Sequence, residues 1–369
     1  MIDQHLLRHL SKKYPNVKAA TEEIVNLNAI LSLPKGTEYF LSDLHGEHEA
    51  FIHMLKSASG VIRSKIEEIF GPDLTRDERD ELAALIYNAE AEIKRRKKSE
   101  EDFDKWCKIS IFRLVMVCKS VTNKYTRSKI RKRLPKEYAY ILDELLHTAD
   151  EANKGNYYGQ IIATIVDCGI AEDFIIAFTD VISSLAVDRL HIIGDIWDRG
   201  SHPDAIMDFL MEYHDVDFQW GNHDIVWMGA ATGNWACMTN VLRMNISYNN
   251  FDMLEIGYGI NLRPLASMAQ KIYGDDPCEF FMPKKLEENK FDPIDDLLAA
   301  KMNKAISICQ FKVEGQRIMA HPEYGLENRL LLDKIDYEKG TVQLRDGVFP
   351  LRDTNFPTID PDDPYRLTE

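Results

Sequence analysis

The pattern that most constrains the fold is a strand, a helix and a second strand between residues 188 and 224. DRLHIIGDIWDRG (188–200) and DVDFQWGNHD (215–224) each indicate a short apolar strand that ends in a polar turn. The segment between them, HPDAIMDFLMEYH (202–214), predicts a crossover helix. In α/β proteins such a connection joins parallel strands, and ligands bind beyond the carboxyl ends of those strands. We therefore expect an α/β fold with its functional site at these turns.

The sequence before this pattern predicts helices and one further strand. Residues 5–33 are expected to be helical with an interruption at Pro15, and TEYFLSDLHGE (37–47) is expected to form a strand that runs into a glycine-containing turn. Residues 52–185 predict a largely helical block, in which Thr75 and Glu78 have the spacing of a helix capping box. Two sets of apolar residues in this block recur with the helical period: Leu82, Leu85, Ile86, Ala89 and Ile93, and Tyr138, Ile141, Leu142 and Leu145.

The sequence after residue 300 predicts further strands and an abrupt end. Residues 305–313 predict a strand, and the segments on either side of Asp346-Gly347 predict a hairpin. The tail FPTIDPDDPYRLTE is rich in proline, and Thr368-Glu369 would begin a helix that does not follow. We expect a chain that is cut before its next element.

Composition excludes several classes of function. The chain has 45 Lys and Arg against 60 Asp and Glu, a net charge of −15, which disfavours both nucleic acid and anionic membranes as partners. Its amino terminus lacks the pattern of a secretory signal, and no apolar run approaches the ~20 residues of a spanning helix. The six cysteines form no C-x-x-C pair, so we expect buried, reduced thiols in a cytoplasmic protein.

Two basic stretches stand out against this acidic background. KRRKK (94–98) and RSKIRKRLPK (127–136) favour a solvated helix face. The alternatives are a site for an anionic or nucleotide effector, or an oligomer contact.

Three polar blocks follow predicted strands and share one chemical logic. They are Asp43-x-His45, Gly194-Asp195-x-x-Asp198-Arg199-Gly200 and Gly221-Asn222-His223-Asp224. A pair of divalent ions needs oxygen and nitrogen ligands, with one carboxylate able to bridge both ions. This mixed Asp, His and Asn set suits Mn²⁺, Fe or Zn²⁺ better than Ca²⁺. The spacing therefore predicts a dinuclear metal site, although these blocks alone leave both ligand shells incomplete.

Each residue type in the blocks has a chemical use at such a site. Asp43 and His45 are two positions apart and can reach one ion, and Asp195 is placed to bridge. Arg199 offers a planar fork for phosphate oxygens, and His223 can protonate a leaving oxygen. Trp197, Trp220 and Trp227 lie around the blocks; we expect core packing from them, with stacking on a sugar as the alternative.

The three blocks resemble those of the calcineurin-like metallophosphoesterases, which carry D-x-H, GD-x-x-DRG and GNH[DE]. Longer stretches are similar to the class III fructose-1,6-bisphosphatases of bacteria: NLNAILSLPKGTEYFLSDLHGEHEAF with the following SGVIR, ENRLLLDKIDYEKG and RDTNFPTIDPDDPY. The resemblance covers essentially the whole chain. It implies an α/β sandwich with a large helical insertion between the first two blocks, incomplete at its carboxyl end. The implied parts are residues 1–51, with the first strand and block, the insertion at 52–186, and the rest of the domain at 187–369.

The resemblance also implies a role for each residue of the blocks. Asp43 and His45 would bind one metal, Asp195 would bridge both, and Asn222 would bind the second. The implied catalytic residues are His223 as general acid, Asp198 to orient it, Arg199 to hold the phosphate, and Asp224 in support. The ions, Mn²⁺ above all, would activate a hydroxide that hydrolyses fructose 1,6-bisphosphate to fructose 6-phosphate in gluconeogenesis. A homo-oligomer is expected.

The later histidine ligands of the superfamily are missing from this sequence. Of its 11 histidines, His321 alone follows the third block, and no Gly-His dipeptide comes after it. His321, in MAHPEYG, is the one remaining candidate for a further ligand. Two other functions therefore stay open: another calcineurin-like phosphohydrolase, with a protein or dinucleotide substrate, and an inactive fragment that acts only in assembly.

Overall fold

A computed structural model describes residues 4–147, 155–284 and 294–367. The chain divides into two compact units: unit 1 comprises residues 1–39 and 52–190, and unit 2 comprises residues 40–51 and 191–369. The three-part division into 1–51, 52–186 and 187–369 remains a prediction. Thr368-Glu369, the predicted helix start, lies outside the described residues.

Helices dominate both units. In chain order the helices are α1 (Gln4–Lys13), α2 (Val17–Leu31), α3 (His48–Ser57), α4 (Val61–Phe70), α5 (Arg76–Tyr87), α6 (Ala89–Ser99), α7 (Phe103–Thr122), α8 (Arg127–Arg133), α9 (Ala139–His147), α10 (Gly155–Asp167), α11 (Ala171–Ala186), α12 (Pro203–Glu212), α13 (Asn222–Ala231), α14 (Trp235–Ser247), α15 (Arg263–Ile272) and α16 (Asp296–Ala320). The strands are β1 (Glu38–Leu41), β2 (Arg189–Ile192), β3 (Val216–Phe218), β4 (Ile335–Asp336), β5 (Thr341–Leu344) and β6 (Gly347–Pro350). The fold is thus mixed α/β, mostly helical with small sheets. Within the described part of the chain, no helix is long and apolar enough to cross a membrane.

Unit 1 is a helical block around an apolar core, as its sequence predicts. Ile111 and Leu114 of α7 and Phe174 and Phe178 of α11 are fully buried in that core. The capping box at the start of α5 is present: the Thr75 hydroxyl accepts a hydrogen bond from the Glu78 amide, and the Glu78 carboxylate accepts one from the Thr75 amide.

The apolar periodicity from residue 82 to 93 spans two helices rather than one. All five of its residues are buried, but α5 ends at Tyr87 and α6 begins at Ala89. Asn88 stands between them in a non-helical conformation, and its side chain accepts a hydrogen bond from the Ala91 amide. The asparagine therefore ends one helix and caps the next.

The basic stretches of unit 1 are partly solvated and partly paired. Lys94, Arg95, Lys97 and Lys98 are exposed, as expected, whereas Arg96 is half-buried among Glu81, Glu92 and Glu100. In the second stretch, Arg127 pairs with Asp143 and Lys129 with Asp188. Many of these cations are thus matched by carboxylates of the same unit.

A sheet in the order β1-β2-β3 carries the three polar blocks directly after its strands. The crossover helix between β2 and β3 is α12, as predicted. A second, antiparallel sheet contains β4, β5 and β6. The predicted hairpin is present as β5–β6, but its turn is Arg345-Asp346, and Gly347 is already the first residue of β6, opposite Leu344.

Three predictions about burial and local structure are wrong. Residues 305–313 are not a strand but part of α16, a 25-residue helix with 15 buried residues. Cys107, Cys118 and Cys278 are buried, but Cys168 is exposed. Trp220 is 67% exposed and does not pack in a core.

Candidate functional site

The loops after β1 and β2 lie against each other and are joined by backbone hydrogen bonds. The amides of Asp43, His45 and Gly46 donate to the carbonyls of Gly194, Asp195 and Ile196, at 3.1, 2.9 and 2.8 Å. The amide of Gly200 donates back to the carbonyl of His45, at 2.7 Å. The first and second polar blocks are therefore held in a fixed register.

Two glycines allow this close approach. A Cβ atom on Gly200 would lie 2.2 Å from the His45 carbonyl oxygen, and one on Gly221 would lie 2.0 Å from Asp195 Oδ1. No side chain fits at either distance. Gly200 thus brings the second loop to the first, and Gly221 brings the third loop to the second.

Unusual backbone conformations concentrate in the same loops. Eight non-glycine residues in the described part of the chain have a positive φ, and five of them belong to the polar blocks: Asp43, His45, Asp195, Asp198 and Arg199. Such conformations cost free energy and persist only where the surrounding structure enforces them. Here the hydrogen bonds between the loops provide that constraint.

Asp43, His45 and Asp195 form a cluster able to hold a divalent ion. Each offers one ligand atom, and the three atoms lie within 4.8 Å of one another. His45 Nδ1 lies 3.1 Å from the Trp197 carbonyl, to which it can donate its proton, so that the lone pair of Nε2 stays available. Nε2 is 3.7 Å from Asp43 Oδ1. The donor set and the oriented imidazole therefore fit a metal such as Mn²⁺, Fe or Zn²⁺.

Asp224 is a buried carboxylate that ties the second and third loops together. Its Oδ2 accepts hydrogen bonds from the amides of Asp195 (2.7 Å) and Gly221 (2.9 Å), and its Oδ1 accepts one from Ile196 (2.9 Å). These donors surround the backbone of Asp195. Asp224 thus holds the backbone of the second loop and of Gly221, and among the described residues it is not a member of the candidate metal-binding cluster.

His223 and Asp198 form a dyad beside this cluster. His223 Nδ1 lies 2.7 Å from Asp198 Oδ2, and the His223 ring meets the His45 ring edge-on with 5.2 Å between centroids. Asp198 is buried, and its other oxygen accepts hydrogen bonds from Trp227 Nε1 (2.9 Å) and Asn245 Nδ2 (3.3 Å). The dyad orients the imidazole with Nε2 directed away from Asp198.

Asn222 and Arg199 complete the predicted set. Asn222 is the first residue of α13, directly after Gly221, and its side chain is exposed. Arg199 is exposed, and among the described residues it has no carboxylate partner. All eight predicted residues thus lie in unit 2, on the loops after β1 and β2 and in the first turn of α13, which the hydrogen bonds described above bring together.

His321 has other partners. Its Nδ1 lies 2.8 Å from the Glu323 carboxylate, and its ring stacks on Tyr324. Within the part of the chain that the structure describes, it does not belong to the metal-binding cluster. Among the tryptophans, Trp197 and Trp227 stack on each other, with 6.0 Å between ring centroids.

The supporting residues Asn245, Asn250 and Tyr258 were not found from the sequence. The Asn245 side chain donates a hydrogen bond to Asp198. The Asn250 side-chain amide donates to the Gly200 carbonyl at 3.0 Å. The Tyr258 hydroxyl accepts a hydrogen bond from Trp197 Nε1 at 2.7 Å. Burial raises the pKa of Tyr258. The one sequence signal for Asn245 is a polar residue four positions after the buried Val241, on the buried face of α14.

Comparisons with known proteins give the chain a family. The profile of the Firmicute fructose-1,6-bisphosphatases matches residues 5–369. A class 3 fructose-1,6-bisphosphatase of Clostridium tetani (strain Massachusetts / E88) is 55% identical over 368 residues, and one of Clostridium novyi (strain NT) is 52% identical over 372 residues. Both alignments cover 100% of this chain and 55% of the relative. A third, of Clostridium botulinum (strain Alaska E43 / Type E3), is 54% identical over 98% of this chain and 55% of its own length.

The chain spans about half the length of the curated relatives it matches. No solved structure matches it. This family implies a divalent metal. Its profile spans nearly all of this sequence, including the cluster of Asp43, His45 and Asp195. The chain belongs to the Firmicute fructose-1,6-bisphosphatase family.

Proposed function

We propose that this chain carries the metal site of a phosphatase that hydrolyses fructose 1,6-bisphosphate to fructose 6-phosphate and phosphate. The observation that carries the proposal is the cluster of Asp43, His45 and Asp195 next to the His223–Asp198 dyad. A metal-binding cluster beside an oriented imidazole would provide both a bound cation and a proton donor, which together promote hydrolysis of a phosphate ester. The names of the relatives, class 3 fructose-1,6-bisphosphatases, support the substrate.

Four residues would hold two divalent ions, for which we propose Mn²⁺. Asp43 and His45 would bind the first ion, Asn222 the second, and Asp195 both. When bound, the ions would supply positive charge that stabilises the phosphoryl group and makes an attacking water more acidic. The chain's own contribution is orientation: the Trp197 carbonyl fixes the His45 ring, and Asp224 fixes the backbone of Asp195.

The remaining residues would act on the substrate. Arg199 is exposed beside the cluster, and its planar guanidinium can donate two parallel hydrogen bonds to phosphate oxygens. His223 would donate a proton from Nε2 to the departing sugar oxygen, because Asp198 already holds Nδ1. Asp224 would act in support, through the backbone of the second and third loops.

The wider setting follows from the family resemblance. We propose the calcineurin-like sandwich as the complete domain fold, with residues 52–186 as the insertion between its first two blocks. The strand order β1-β2-β3, with all three blocks on the following loops, supports this. A cytoplasmic homo-oligomer that acts in gluconeogenesis is the cellular role we propose.

The test is release of phosphate by the purified chain in the presence of Mn²⁺. We expect fructose 1,6-bisphosphate to be hydrolysed faster than a phosphoserine peptide or a dinucleoside polyphosphate, which represent the other phosphohydrolases of the superfamily. Asp195→Asn should lower the rate by roughly 1,000-fold or more, because the bridging carboxylate is lost.

Asp346→Asn is the matched control. It makes the same change of charge at an exposed position of the β5–β6 turn, where asparagine and aspartate are both favoured. Faster hydrolysis of the peptide or the dinucleotide would overturn the substrate assignment. A chain that folds and releases no phosphate from any of the three would show that it is not an active phosphatase by itself.

A further inference from the structure

Two consecutive residues of the second polar block have a left-handed backbone conformation. They are Asp198, with a φ of 69°, and Arg199, with a φ of 74°. Aspartate tolerates this region better than most residues, whereas arginine rarely adopts it. Such a conformation persists only where neighbouring groups enforce it. The contacts that hold this segment therefore determine where the two side chains lie.

Two buried asparagines hold this segment, one in α14 and one just after that helix. Asn245 and Asn250 are each 1% exposed. The Asn245 side chain donates a hydrogen bond to Asp198 Oδ1 at 3.3 Å. The Asn250 side chain donates one to the Gly200 carbonyl at 3.0 Å. Arg199 thus lies between two residues that buried donors hold.

The two asparagines are fixed by contacts outside the polar blocks. The backbone amide of Asn250 donates to the Asn245 carbonyl at 3.0 Å. Between them in sequence, the buried Asn249 makes two hydrogen bonds to Ile294, just before α16: its Nδ2 donates to the Ile294 carbonyl at 3.0 Å, and its Oδ1 accepts from the Ile294 amide at 3.2 Å. Loss of a buried hydrogen bond is costly, so these contacts keep both donors in place.

We propose that Asn245 and Asn250 are positioning residues for the proposed phosphatase reaction, on which this inference rests. Asn245 acts through Asp198, which orients His223. The proton from His223 would stabilise the transition state and not the bound substrate. Loss of the Asn245 donor should therefore lower kcat and leave KM nearly unchanged.

Asn250 acts through the Gly200 carbonyl on the adjacent Arg199. The guanidinium would bind a phosphate group in the substrate and in the transition state alike. Loss of the Asn250 donor releases one end of the left-handed segment, so that Arg199 can relax to an ordinary conformation. This loss should therefore raise KM and leave kcat nearly unchanged.

Steady-state kinetics of the full chain, with Mn²⁺ and fructose 1,6-bisphosphate, tests the two roles. Asn245→Leu and Asn250→Leu each remove a donor with little change in side-chain volume. We expect kcat to fall by roughly tenfold in the first variant and KM to rise by roughly tenfold in the second.

Asn303→Leu is the matched control. Asn303 is buried in α16, and its Nδ2 donates to the Phe281 carbonyl at 2.9 Å, away from the polar blocks. This variant also loses a buried donor to a backbone carbonyl, so it should lower the melting temperature and leave kcat and KM unchanged.

Hydrogen exchange of the metal-free chain tests the hold on the segment without catalysis. The Gly200 amide donates to the His45 carbonyl at 2.7 Å, and it is exposed to exchange when the segment opens. A peptide containing residues 198–200 should exchange roughly tenfold faster in Asn245→Leu and Asn250→Leu, and at the wild-type rate in Asn303→Leu. Asn245→Ala and Asn250→Ala remove the same donors and replace the leucine variants if circular dichroism shows that these do not fold.

Two results would overturn the proposal. One is exchange of this peptide at the wild-type rate in the Asn245 and Asn250 variants. The other, in an active chain, is a change in kcat and KM no larger than that of Asn303→Leu. A chain that releases no phosphate would overturn the proposed function, and the exchange rates alone would then decide whether the two asparagines hold the segment.

Discussion

The helical core of unit 1 and the polar loops of unit 2 are stabilised in opposite ways. The core of unit 1 consists of apolar side chains such as Ile111, Leu114 and Phe174, packed between helices of ordinary geometry. The loops of unit 2 bury carboxylates, and five of their residues have a positive φ. We therefore expect small changes in the first region to alter stability, and small changes in the second to move the candidate metal-ligating atoms as well. The candidate metal-binding cluster thus depends on close approach of the backbone more than on burial of apolar area.

Alanine substitution of one glycine in each region should give the largest contrast. Gly221→Ala places a Cβ atom 2.0 Å from Asp195 Oδ1, so the carboxylate must move. We expect a loss of phosphatase rate of roughly 100-fold or more, as for a displacement of about 1 Å at a reacting centre. Phosphate release and Mn²⁺ titration measure it.

Gly159→Ala is the matched control in unit 1. Gly159 lies in α10 with no atom near the position of an added Cβ. There alanine should raise the free energy of unfolding by about 0.5–1 kcal/mol and leave the rate unchanged. A Gly221→Ala protein that binds Mn²⁺ like the wild type would contradict the role given to close backbone approach.

In each unit, one buried carboxylate should lose its stabilising contribution over the same acidic pH range. Burial raises the pKa of Asp188 in unit 1, but hydrogen bonds from Lys129, Tyr125, the Thr37 amide and Lys124 outweigh it and lower that pKa from 3.8 to about 2. In unit 2, burial also raises the pKa of Asp276, but hydrogen bonds from Lys304, the Cys278 amide and Asn355 lower it to about 2.

A carboxylate with a lowered pKa stabilises the fold above its unfolded value, and this contribution is lost as the pH falls through the folded value. Asp188→Asn and Asp276→Asn should therefore each lower the free energy of unfolding by about 2 kcal/mol at neutral pH. The difference from wild type should shrink between pH 3.8 and about pH 2. Urea unfolding at a series of pH values measures it. A difference that stays constant down to pH 2 would be inconsistent with this account.

Removing the indole N–H of Trp227 should distinguish its hydrogen bond to Asp198 from its packing. Trp227→Phe keeps an aromatic ring but loses the hydrogen bond to Asp198 Oδ1. We expect the phosphatase rate to fall about tenfold, the equivalent of about 1.4 kcal/mol, because Asp198 holds His223 less firmly. Trp106→Phe, whose ring stacks on Phe103 in unit 1, should change the melting temperature and not the rate. Equal rates of phosphate release for Trp227→Phe and Trp106→Phe would show that the Trp227 hydrogen bond does not help Asp198 to position His223.

Loss of a helix cap in unit 1 should have the smallest effect. Thr75→Ala removes the capping box of α5 and should lower the free energy of unfolding by about 1 kcal/mol, with Mn²⁺ affinity unchanged. Ser99→Ala, at the exposed end of α6, is the control and should be nearly neutral. A change in Mn²⁺ affinity in Thr75→Ala would show that the stability of unit 1 and metal binding in unit 2 are not independent.

The sequence predicts those features that have local patterns. The three polar blocks after β1, β2 and β3, the crossover helix α12, the capping box at Thr75 and the β5–β6 hairpin all depend on residues close together in the chain. Their positions therefore follow from spacing alone. The roles of the eight site residues remain predictions.

Features that depend on distant partners could not be predicted. Residues 305–313 contain apolar and β-branched residues typical of a strand, but α16 is enclosed on most sides and loses the helical periodicity. Its buried Lys304 is accommodated by Asp276 and Asp353, which come from separate parts of the chain. Asn245 likewise contacts Asp198 across 47 positions, and no local pattern reports that contact.

Titration with Mn²⁺ in the absence of substrate measures directly whether the residues of the three polar blocks together bind a metal. We expect the wild-type chain and Asp346→Asn to bind Mn²⁺ with the same affinity, and Asp195→Asn to bind it at least about tenfold more weakly. Equal affinity for the wild type and Asp195→Asn would mean that Asp195 does not bind the metal.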